Sequence, residues 1–327
     1  MTELIPSILI VGVGGAGNHI ITRLSENGLF DNVPALRTLG IDTNVQNLHN
    51  TTCDIKLVIG KQVCKGLGAG KDPKRGKAAV KESISEIRNH IQADIVFLIV
   101  GLGGGTGTGA APIISQIAKN KGILTICIST LPFDVEGKRR MDFALAALEE
   151  IMTVTDAIIV IPNEKLLKIA PNSSLEDAFR LADDLAINGV LAIVELVATP
   201  GRINVDLADL RTLFSLSKKP TGISIIWRGV SEEENREKRV TEAVQTAMEF
   251  PFIDVDLSHA KGAIVNITGS HDLTLKEAQE IAQYVVNELD ENVQVIWGLI
   301  IDENLTNTVK VTTVISAVEI NLTDFIE

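Results

Sequence analysis

Residues 101–109 read Gly-Leu-Gly-Gly-Gly-Thr-Gly-Thr-Gly, a loop almost without side chains. The apolar run before it, residues 93–100, is typical of a buried strand, and residues 110–118 have the pattern of a helix beginning. Glycine lets successive backbone N–H groups converge on an anion, and the dipole of the following helix adds to the attraction. The stretch therefore predicts a phosphate-binding loop rather than a flexible linker, to which Thr106 and Thr108 add hydroxyl donors.

Composition limits the class of protein. The chain has 327 residues, of which 45% are hydrophobic and 22% charged, so we expect a globular protein large enough for two domains. The formal net charge of -12 argues against nucleic-acid binding, because no basic excess is available to displace counterions. Cys53, Cys64 and Cys127 show no CxxC spacing, which fits a reducing compartment without disulfides or zinc. With no leader and no run of membrane-spanning length, we expect a cytoplasmic protein without direct membrane insertion.

The first half of the chain alternates strands and helices, which predicts an α/β, Rossmann-like parallel sheet covered by helices on both faces. Ligands bind at the carboxyl ends of such strands, where two glycine-rich loops fall, residues 12–17 and 101–109. The predicted strands are residues 7–11, 38–41, 56–59, a strand near 95, 124–128 and 157–161, with helices at 18–26 and 74–92.

A long helix is predicted after the sheet, from the capping-box-like start at Ser174 to the stop at Thr199-Pro200-Gly201. About 25 residues at 1.5 Å each give a rod of roughly 37 Å, long enough to connect two domains. The last third predicts a smaller α+β domain with a mixed sheet. Its expected strands are residues 222–228, 263–268, 293–301 and 309–318, the last two adjacent, and its helices are 232–249 and 274–289. The predicted domains are residues 1–173, which bind the ligand, 174–221, the central helix and the loop and helix after it, and 222–327.

The loop at residues 12–17 satisfies the G-x-G-x-x-G dinucleotide fingerprint, and Asp42 follows where a ribose-binding carboxylate belongs. Alone, this pattern favours an NAD-dependent oxidoreductase, which stays a remote alternative. A second glycine loop at the same sheet edge suits a longer phosphate chain than a single pyrophosphate. The Walker pattern is incomplete after both Gly60 and Gly70, so the chain is not an ordinary P-loop NTPase.

The loop at residues 101–109 resembles the signature loop of the tubulin/FtsZ superfamily, in its FtsZ form. The similarity is collinear over most of the chain and includes residues 12–18, 66–70, 132–141, 159–163, 200–209 and 262–268. The resemblance implies a GTPase that polymerises head to tail into protofilaments and whose active site is completed by the adjacent subunit. It also implies bound GTP or GDP with Mg²⁺, self-association, membrane-anchor or regulatory partners, and a place at the division site.

The resemblance also implies which residues surround the phosphates of the nucleotide and how Mg²⁺ is held. Mg²⁺ is expected to be held mainly by phosphates and water, so no protein ligand is assigned to it. The residues assigned to the nucleotide here are Gly14, Gly15, Ala16, Gly17, Asn18, Asp42, Gly68, Ala69, Gly70, Gly103, Gly104, Gly105, Thr106, Gly107 and Thr108.

Pro132 and Asn163 are also assigned to the nucleotide, and the sugar and the base have further predicted partners. Glu136 and Arg140 match the ribose-contacting pair of the family, although the residues alone favour a surface ion pair. Phe179 and Asp183 lie four residues apart and hence on one helical face. The ring can stack on a purine, and the carboxylate can accept hydrogen bonds from the N1–H and exocyclic amine of guanine.

The resemblance assigns hydrolysis to Asn204, Asp206 and Asp209, on a segment that inserts into the nucleotide site of the next subunit. The two carboxylates would orient the attacking water, and Asn204 would help to position it. From the residues alone, Asp206 is a helix N-cap and Asp209 an acid in the first turn, and both interpretations can hold together.

The chain departs from the family pattern at several places. His19 stands where a second Asn is usual, and Asp42-Thr43-Asn44 replaces Asn-Thr-Asp. Residues 215–221, which contain Lys218-Lys219-Pro220, replace a glycine-rich stretch. After the last predicted strand there is no long linker and terminal peptide, so an FtsZ-like polymer GTPase without a division role is the alternative.

Overall fold

The computed structural model describes residues 5–26, 33–169, 174–199, 201–216, 222–249, 256–290, 292–319 and 322–325. The chain divides into two compact units, one up to Ile187 and the other from Asn188. Within the described ranges, no helix is both long enough and apolar enough to cross a membrane. The predicted segment Lys218-Lys219-Pro220 and the predicted helix stop at Pro200 lie outside these ranges.

The first unit contains a parallel sheet of six strands, which confirms the predicted Rossmann-like fold. The strands are β1 (Ile8–Val13), β2 (Leu36–Asp42), β3 (Ile55–Val58), β4 (Ile95–Gly101), β5 (Leu124–Leu131) and β6 (Ala157–Pro162). Their order is β3-β2-β1-β4-β5-β6, so the direction of winding reverses between β1 and β4. In a doubly wound sheet this reversal leaves a crevice at the carboxyl ends of the two strands, where ligands bind.

Eight α-helices begin in the described part of the first unit, together with a short 3-10 helix over Asp134–Glu136. Both faces of the sheet are covered, since β1, β5 and β6 are buried at every position. The helices are α1 (Gly14–Glu26), α2 (Val45–His49), α3 (Pro73–Glu82), α4 (Ile84–His90), α5 (Thr106–Asn120), α6 (Lys138–Val154), α7 (Asn163–Ile169) and α8 (Leu175–Ala198). Helix α8 contains the boundary between the two units.

Four predicted helices differ from the structure. The helix predicted over residues 232–249 begins at Arg236 and ends at Met248. The other three lie in the first unit. Helices α1 and α5 begin at Gly14 and Thr106, so the last residues of each glycine loop form the first helical turn. The apolar periodicity could not indicate these turns, because they consist largely of glycine. The helix predicted over residues 74–92 is interrupted at Ser83, whose hydroxyl accepts a hydrogen bond from the backbone N–H of Gly60 at 3.1 Å.

The second unit contains the predicted mixed sheet. Its strands are β7 (Gly222–Ser231), β8 (Gly262–Gly269), β9 (Gln294–Ile301) and β10 (Val309–Glu319), and its remaining helices are α9 (Leu207–Ser215), α10 (Arg236–Met248) and α11 (Leu275–Glu288). The order is β7-β10-β8-β9, with β10 antiparallel to β7 and β8, and β8 parallel to β9. The prediction that β9 and β10 are adjacent is wrong, because β8 lies between them. Their connection, residues 302–308, is longer than a tight hairpin and carries the chain past β8.

Candidate functional site

A cavity of about 590 Å³ lies in the first unit, where the loops that follow the strands meet. This volume is in the range of small-molecule sites in proteins. Most of the residues that the sequence predicts for nucleotide binding line it. They are Gly14, Gly15, Ala16, Asp42, Gly68, Ala69, Gly70, Gly104, Gly105, Thr106, Gly107, Pro132, Glu136, Arg140, Asn163, Phe179 and Asp183.

Four predicted residues do not line the cavity, and each holds its wall together instead: Gly17, Asn18, Gly103 and Thr108. A Cβ on Gly17 would lie 2.2 Å from the Ile99 carbonyl oxygen, so this glycine lets α1 pack onto β4. The Asn18 side-chain amide donates to the Ile41 carbonyl at 3.1 Å and ties α1 to β2. The Thr108 hydroxyl accepts from the Gly103 N–H at 2.8 Å and closes the glycine loop.

The glycine-rich end of the cavity is built from the starts of two helices. A Cβ on Gly14 would lie 3.2 Å from the Gly107 nitrogen, so the first turns of α1 and α5 are in close approach. The first N–H groups of a helix have no partner within it, and the helix dipole places partial positive charge there. Gly104 faces open space, since a Cβ on this residue would meet no described atom within 4 Å. Two such helix starts together suit a chain of phosphates.

Asp42 and Asn44 both line this part of the cavity, so the reversed order of the family's Asn-Thr-Asp keeps a carboxylate in the wall. Asp42 Oδ1 accepts from the backbone N–H groups of Thr43 and Asn44 at 2.7 and 3.1 Å. Asn44 caps α2 through its side chain. The hydroxyls of Thr43 and Thr106 are 2.7 Å apart, which links this turn to the start of α5.

A second group of polar side chains lies beside the ends of β5 and β6. Glu136 forms an ion pair with Arg140 and accepts from the Phe133 N–H at 3.0 Å. Arg140 Nε and Asn163 Oδ1 are buried without a hydrogen-bond partner among the described residues. Because buried polar atoms are nearly always paired, these two atoms leave one donor and one acceptor for a ligand.

Helix α8 contributes an aromatic ring and a carboxylate. The side chain of Phe179 is 45% exposed although it is large and apolar, and it meets Phe133 edge-to-face at a centroid distance of 5.4 Å. Asp183 is only 8% exposed, and its Oδ2 lies 3.1 Å from both Arg23 Nη1 and His19 Nδ1. Burial raises the pKa of the Asp183 carboxyl, against the opposing effects of His19 and Arg23. A stacking face and a hydrogen-bonding carboxylate can together hold a purine base.

Asn204, Asp206 and Asp209 belong to the second unit and do not line the cavity. Asp206 caps α9, with Oδ1 accepting from Ala208 N–H at 2.7 Å and from Asp209 N–H at 3.0 Å. Asp209 Oδ2 accepts in return from the Asp206 N–H at 3.0 Å, which completes a capping box. Asn204 Oδ1 accepts from the Gly201 N–H at 2.6 Å. Within one chain these side chains therefore fix the start of α9.

Several residues of the wall were not predicted from the sequence. Ile20, Leu102, Thr130, Leu131 and Ala182 lack any feature that separates them from core residues, whereas Lys71 directly follows the predicted residue Gly70. The lining residues without an individual assignment are Ile20, Asn44, Asn47, Leu67, Lys71, Gly101, Leu102, Thr130, Leu131 and Ala182. Of these, Gly101 and Leu102 belong to the predicted phosphate-binding loop. The part of the chain that the structure describes holds no group of three or more His, Cys, Asp or Glu side chains arranged for a metal.

Comparisons with known proteins agree with the fold. The family model described as "Tubulin/FtsZ family, GTPase domain" matches residues 7–171, and "FtsZ family, C-terminal domain" matches residues 222–319. The chain is 47% identical over 313 residues to cell division protein FtsZ 1 of Methanocaldococcus jannaschii, covering 95% of this chain and 83% of that protein. It is 44% identical to cell division protein FtsZ of Methanothermobacter thermautotrophicus, with 95% and 79% covered.

Solved structures give the same result. The structure described as an empty FtsZ dimer from M. jannaschii has a TM-score of 0.85 and 45% identity, over 97% of this chain and 89% of that one. CetZ2 from Haloferax volcanii, in a GTPγS-bound protofilament, has a TM-score of 0.77 at 21% identity, over 96% and 93%, and supports the fold alone. The fold and the site define a protein of the tubulin/FtsZ class of GTPases. The chain belongs to the FtsZ family within that class.

Proposed function

We propose that this protein binds GTP in the cavity of the first unit, polymerises head to tail, and hydrolyses GTP at sites shared between neighbouring copies during cell division. One observation carries the proposal of a shared site. The residues suited to bind the nucleotide line one cavity of the first unit, whereas the two carboxylates assigned to hydrolysis, Asp206 and Asp209, belong to the second unit and do not line it. A second copy of the chain is the simplest source of the missing carboxylates.

The proposed binding mode assigns each part of GTP to a part of the wall. The starts of α1 and α5 supply N–H groups to the phosphates, and Gly104 leaves room for them to approach. Glu136 and Arg140 contact the ribose. Phe179 stacks on the base, and Asp183 accepts from the N1–H and exocyclic amine that guanine has and adenine lacks. Mg²⁺ would be bound mainly through phosphates and water, where it would neutralise phosphate charge.

The proposed hydrolysis requires little covalent chemistry from the protein. Phosphoryl transfer depends mostly on positioning and on charge stabilisation. Asp206 and Asp209 are held by reciprocal hydrogen bonds at the start of α9, so their carboxylates are already oriented before a neighbour arrives. They would accept hydrogen bonds from the attacking water and align it with the terminal phosphate of the neighbouring nucleotide. Asn204, which is fixed on Gly201, would hold the same water from the side.

The role in cell division is proposed from the relatives, which are named cell division proteins and share 95% of this chain at 44–47% identity. The structure described as an FtsZ dimer from M. jannaschii, at 45% identity, supports self-association. Membrane-anchor or regulatory proteins would be further partners, and the division site would be the place of action.

The experiment that tests the shared site is GTP hydrolysis per subunit, measured against protein concentration with Mg²⁺ present. A threshold concentration followed by a rise supports a site built between copies. A constant rate per subunit down to dilute protein means that each copy has a complete site, which contradicts the proposed role of Asp206 and Asp209.

A further inference from the structure

One cation of the cavity wall has no assigned role. Lys71 lines the cavity directly after Gly70, with an exposed side chain. Its backbone has φ +60°, the left-handed region that residues with a Cβ rarely adopt. Residues held in such conformations cluster at ligand-binding sites, where the surrounding structure imposes them.

The surrounding structure does impose this conformation. The backbone N–H of Asp72 donates to the Ala69 carbonyl at 3.2 Å, which closes a turn around Lys71. Asp72 then caps α3 through its side chain, and Pro73 occupies the first helical turn. A Cβ on Gly105 would lie 2.9 Å from the Asp72 nitrogen, so the turn is pressed onto the signature glycine loop. Lys71 is therefore anchored next to the proposed phosphate end of the cavity.

The charges of the wall distinguish Lys71 from the other ionisable residues. Asp42 accepts hydrogen bonds from its own turn, Asp183 contacts His19 and Arg23, and Glu136 forms an ion pair with Arg140. Each of the three carboxylates and the arginine of the described wall therefore already has at least one polar contact within the protein. Lys71 has no hydrogen bond or ion pair with any described residue, so its ammonium group is available for an anionic ligand.

We propose that Lys71 binds the terminal phosphate of GTP and so sets the preference of this protein for GTP over GDP. This inference rests on the proposed binding of GTP in the cavity. The glycine loops offer only partial positive charges to the phosphates, whereas the ammonium group offers a full charge with three donors. The Lys71 ammonium group is anchored beside Gly105 and extends over four methylenes. We therefore expect it to contribute most to the binding affinity of GTP, which has one phosphate more than GDP.

The chain offers a matched control. Lys65 lies in the same connection, is exposed and has φ +53°, but it does not line the cavity. Left-handed backbone alone therefore does not identify a residue that binds a ligand. Removing the charge of Lys65 changes the net charge of the protein by the same amount as removing that of Lys71. Lys71→Met and Lys65→Met each keep side-chain length without the charge, and Lys71→Gly removes the backbone strain as well.

The test is equilibrium binding of GDP and of a non-hydrolysable GTP analogue to the full chain, freed of nucleotide and kept dilute. For Lys71→Met we expect about tenfold weaker binding of the triphosphate, from the loss of one charge-assisted hydrogen bond, and less than about threefold for GDP. Lys65→Met should leave both affinities within about twofold. Lys71→Gly should show the same loss as Lys71→Met with at least wild-type thermal stability, so an unfolded Met variant leaves the test intact.

Equal affinity losses for both nucleotides, losses shared by Lys65→Met, or no loss at either Lys71 variant would overturn the role of Lys71. These outcomes leave the proposed function standing as long as the wild type binds guanine nucleotides. Failure of the wild-type chain to bind either nucleotide would instead refute the proposed function, and the assignment of Lys71 with it.

Discussion

His19 Nδ1 lies 3.1 Å from Asp183 Oδ2, at the position where the family usually has an asparagine. Arg23 Nη1 donates to the same oxygen at 3.1 Å, so two neighbouring side chains of α1 hold the orientation of a buried carboxylate. Oδ1 accepts no hydrogen bond from the residues that the structure describes, which leaves it for a ligand.

Asp183→Asn is therefore expected to relax the preference for guanine. The amide keeps one acceptor but replaces the other with a donor, which faces the donors of guanine. We expect at least a roughly tenfold loss in GTP affinity, with ATP affinity unchanged or improved, measured by competition binding. Asp184→Asn is the matched control, because Asp184 also pairs with Arg23, at 2.7 Å, but does not line the cavity. Unchanged discrimination between GTP and ATP in Asp183→Asn removes this residue from the base site.

Alanine substitutions at two glycines of the signature loop should affect different properties, nucleotide binding for Gly104 and stability for Gly107. A Cβ on Gly104 meets nothing within 4 Å, so Gly104→Ala should change stability by less than about 0.5 kcal/mol and weaken nucleotide binding by filling the cavity. A Cβ on Gly107 would lie 2.7 Å from both the Gly101 carbonyl oxygen and Val100 Cγ2, so Gly107→Ala should cost about 1–3 kcal/mol. Thermal unfolding with and without GTP separates the two effects. Normal stabilisation of Gly104→Ala by GTP argues against phosphates at this loop.

The parts of the fold that depend on hydrophobic periodicity and on apolar runs could be predicted from the sequence. The parallel order of the first sheet follows from alternating strands and helices, and the mixed second sheet from the change of rhythm after α8. The neighbours of β10 could not be predicted, because strand order depends on which edges are free in three dimensions. The break at Ser83 depends on Gly60, which lies 23 residues earlier in the chain.

The candidate site was predictable where glycine supplies the signal. Gly104 and Gly105 stand out in any reading of the sequence, and both line the cavity. The roles of Asn18 and Thr108 in bracing the wall were not predictable, because a polar side chain next to a glycine loop can face either way. The sequence around Lys71 has no signal except an incomplete Walker pattern. Its left-handed backbone is visible solely in the structure.

The second unit contains a buried guanidinium group with few hydrogen-bond partners. Arg239 is 0% exposed, and its Nη2 donates to Asp272 Oδ2 at 2.7 Å, whereas Nε and Nη1 have no partner among the described residues. Asp272→Asn leaves the buried charge without its counterion and should cost about 3 kcal/mol. Urea unfolding of the full chain at pH 7 measures this cost. Asp290→Asn is a suitable control, because Asp290 is exposed and its side chain accepts hydrogen bonds from Asn292, two residues away. A cost below about 1 kcal/mol for Asp272→Asn contradicts the importance of this pair.

The same pair predicts a dependence of stability on pH. Hydrogen bonds from Ser270 and Arg239 hold the pKa of the Asp272 carboxyl below its ordinary value. A group with a lowered folded pKa stabilises the protein above its unfolded pKa, about 3.9, and this stabilisation is lost as the pH falls through the folded pKa. The difference in unfolding free energy between wild type and Asp272→Asn should therefore shrink between about pH 5 and pH 3. A difference that stays constant over this range contradicts the linkage.

The proposed shared active site predicts that two impaired variants restore each other. Asp209→Asn keeps an acceptor for the Asp206 N–H and hence the cap of α9, but it removes the charge assigned to the water. We expect GTP binding within about twofold of wild type, hydrolysis lowered by roughly a hundredfold, and filaments that persist. Gly104→Ala has the complementary defect, with an impaired cavity and intact carboxylates. In a mixture, the carboxylates of Gly104→Ala subunits can meet the intact cavities of Asp209→Asn subunits, so hydrolysis should exceed the sum of the two variants alone. Additive rates in the mixture, measured well above the assembly threshold, mean that Asp209 acts within its own subunit or not at all.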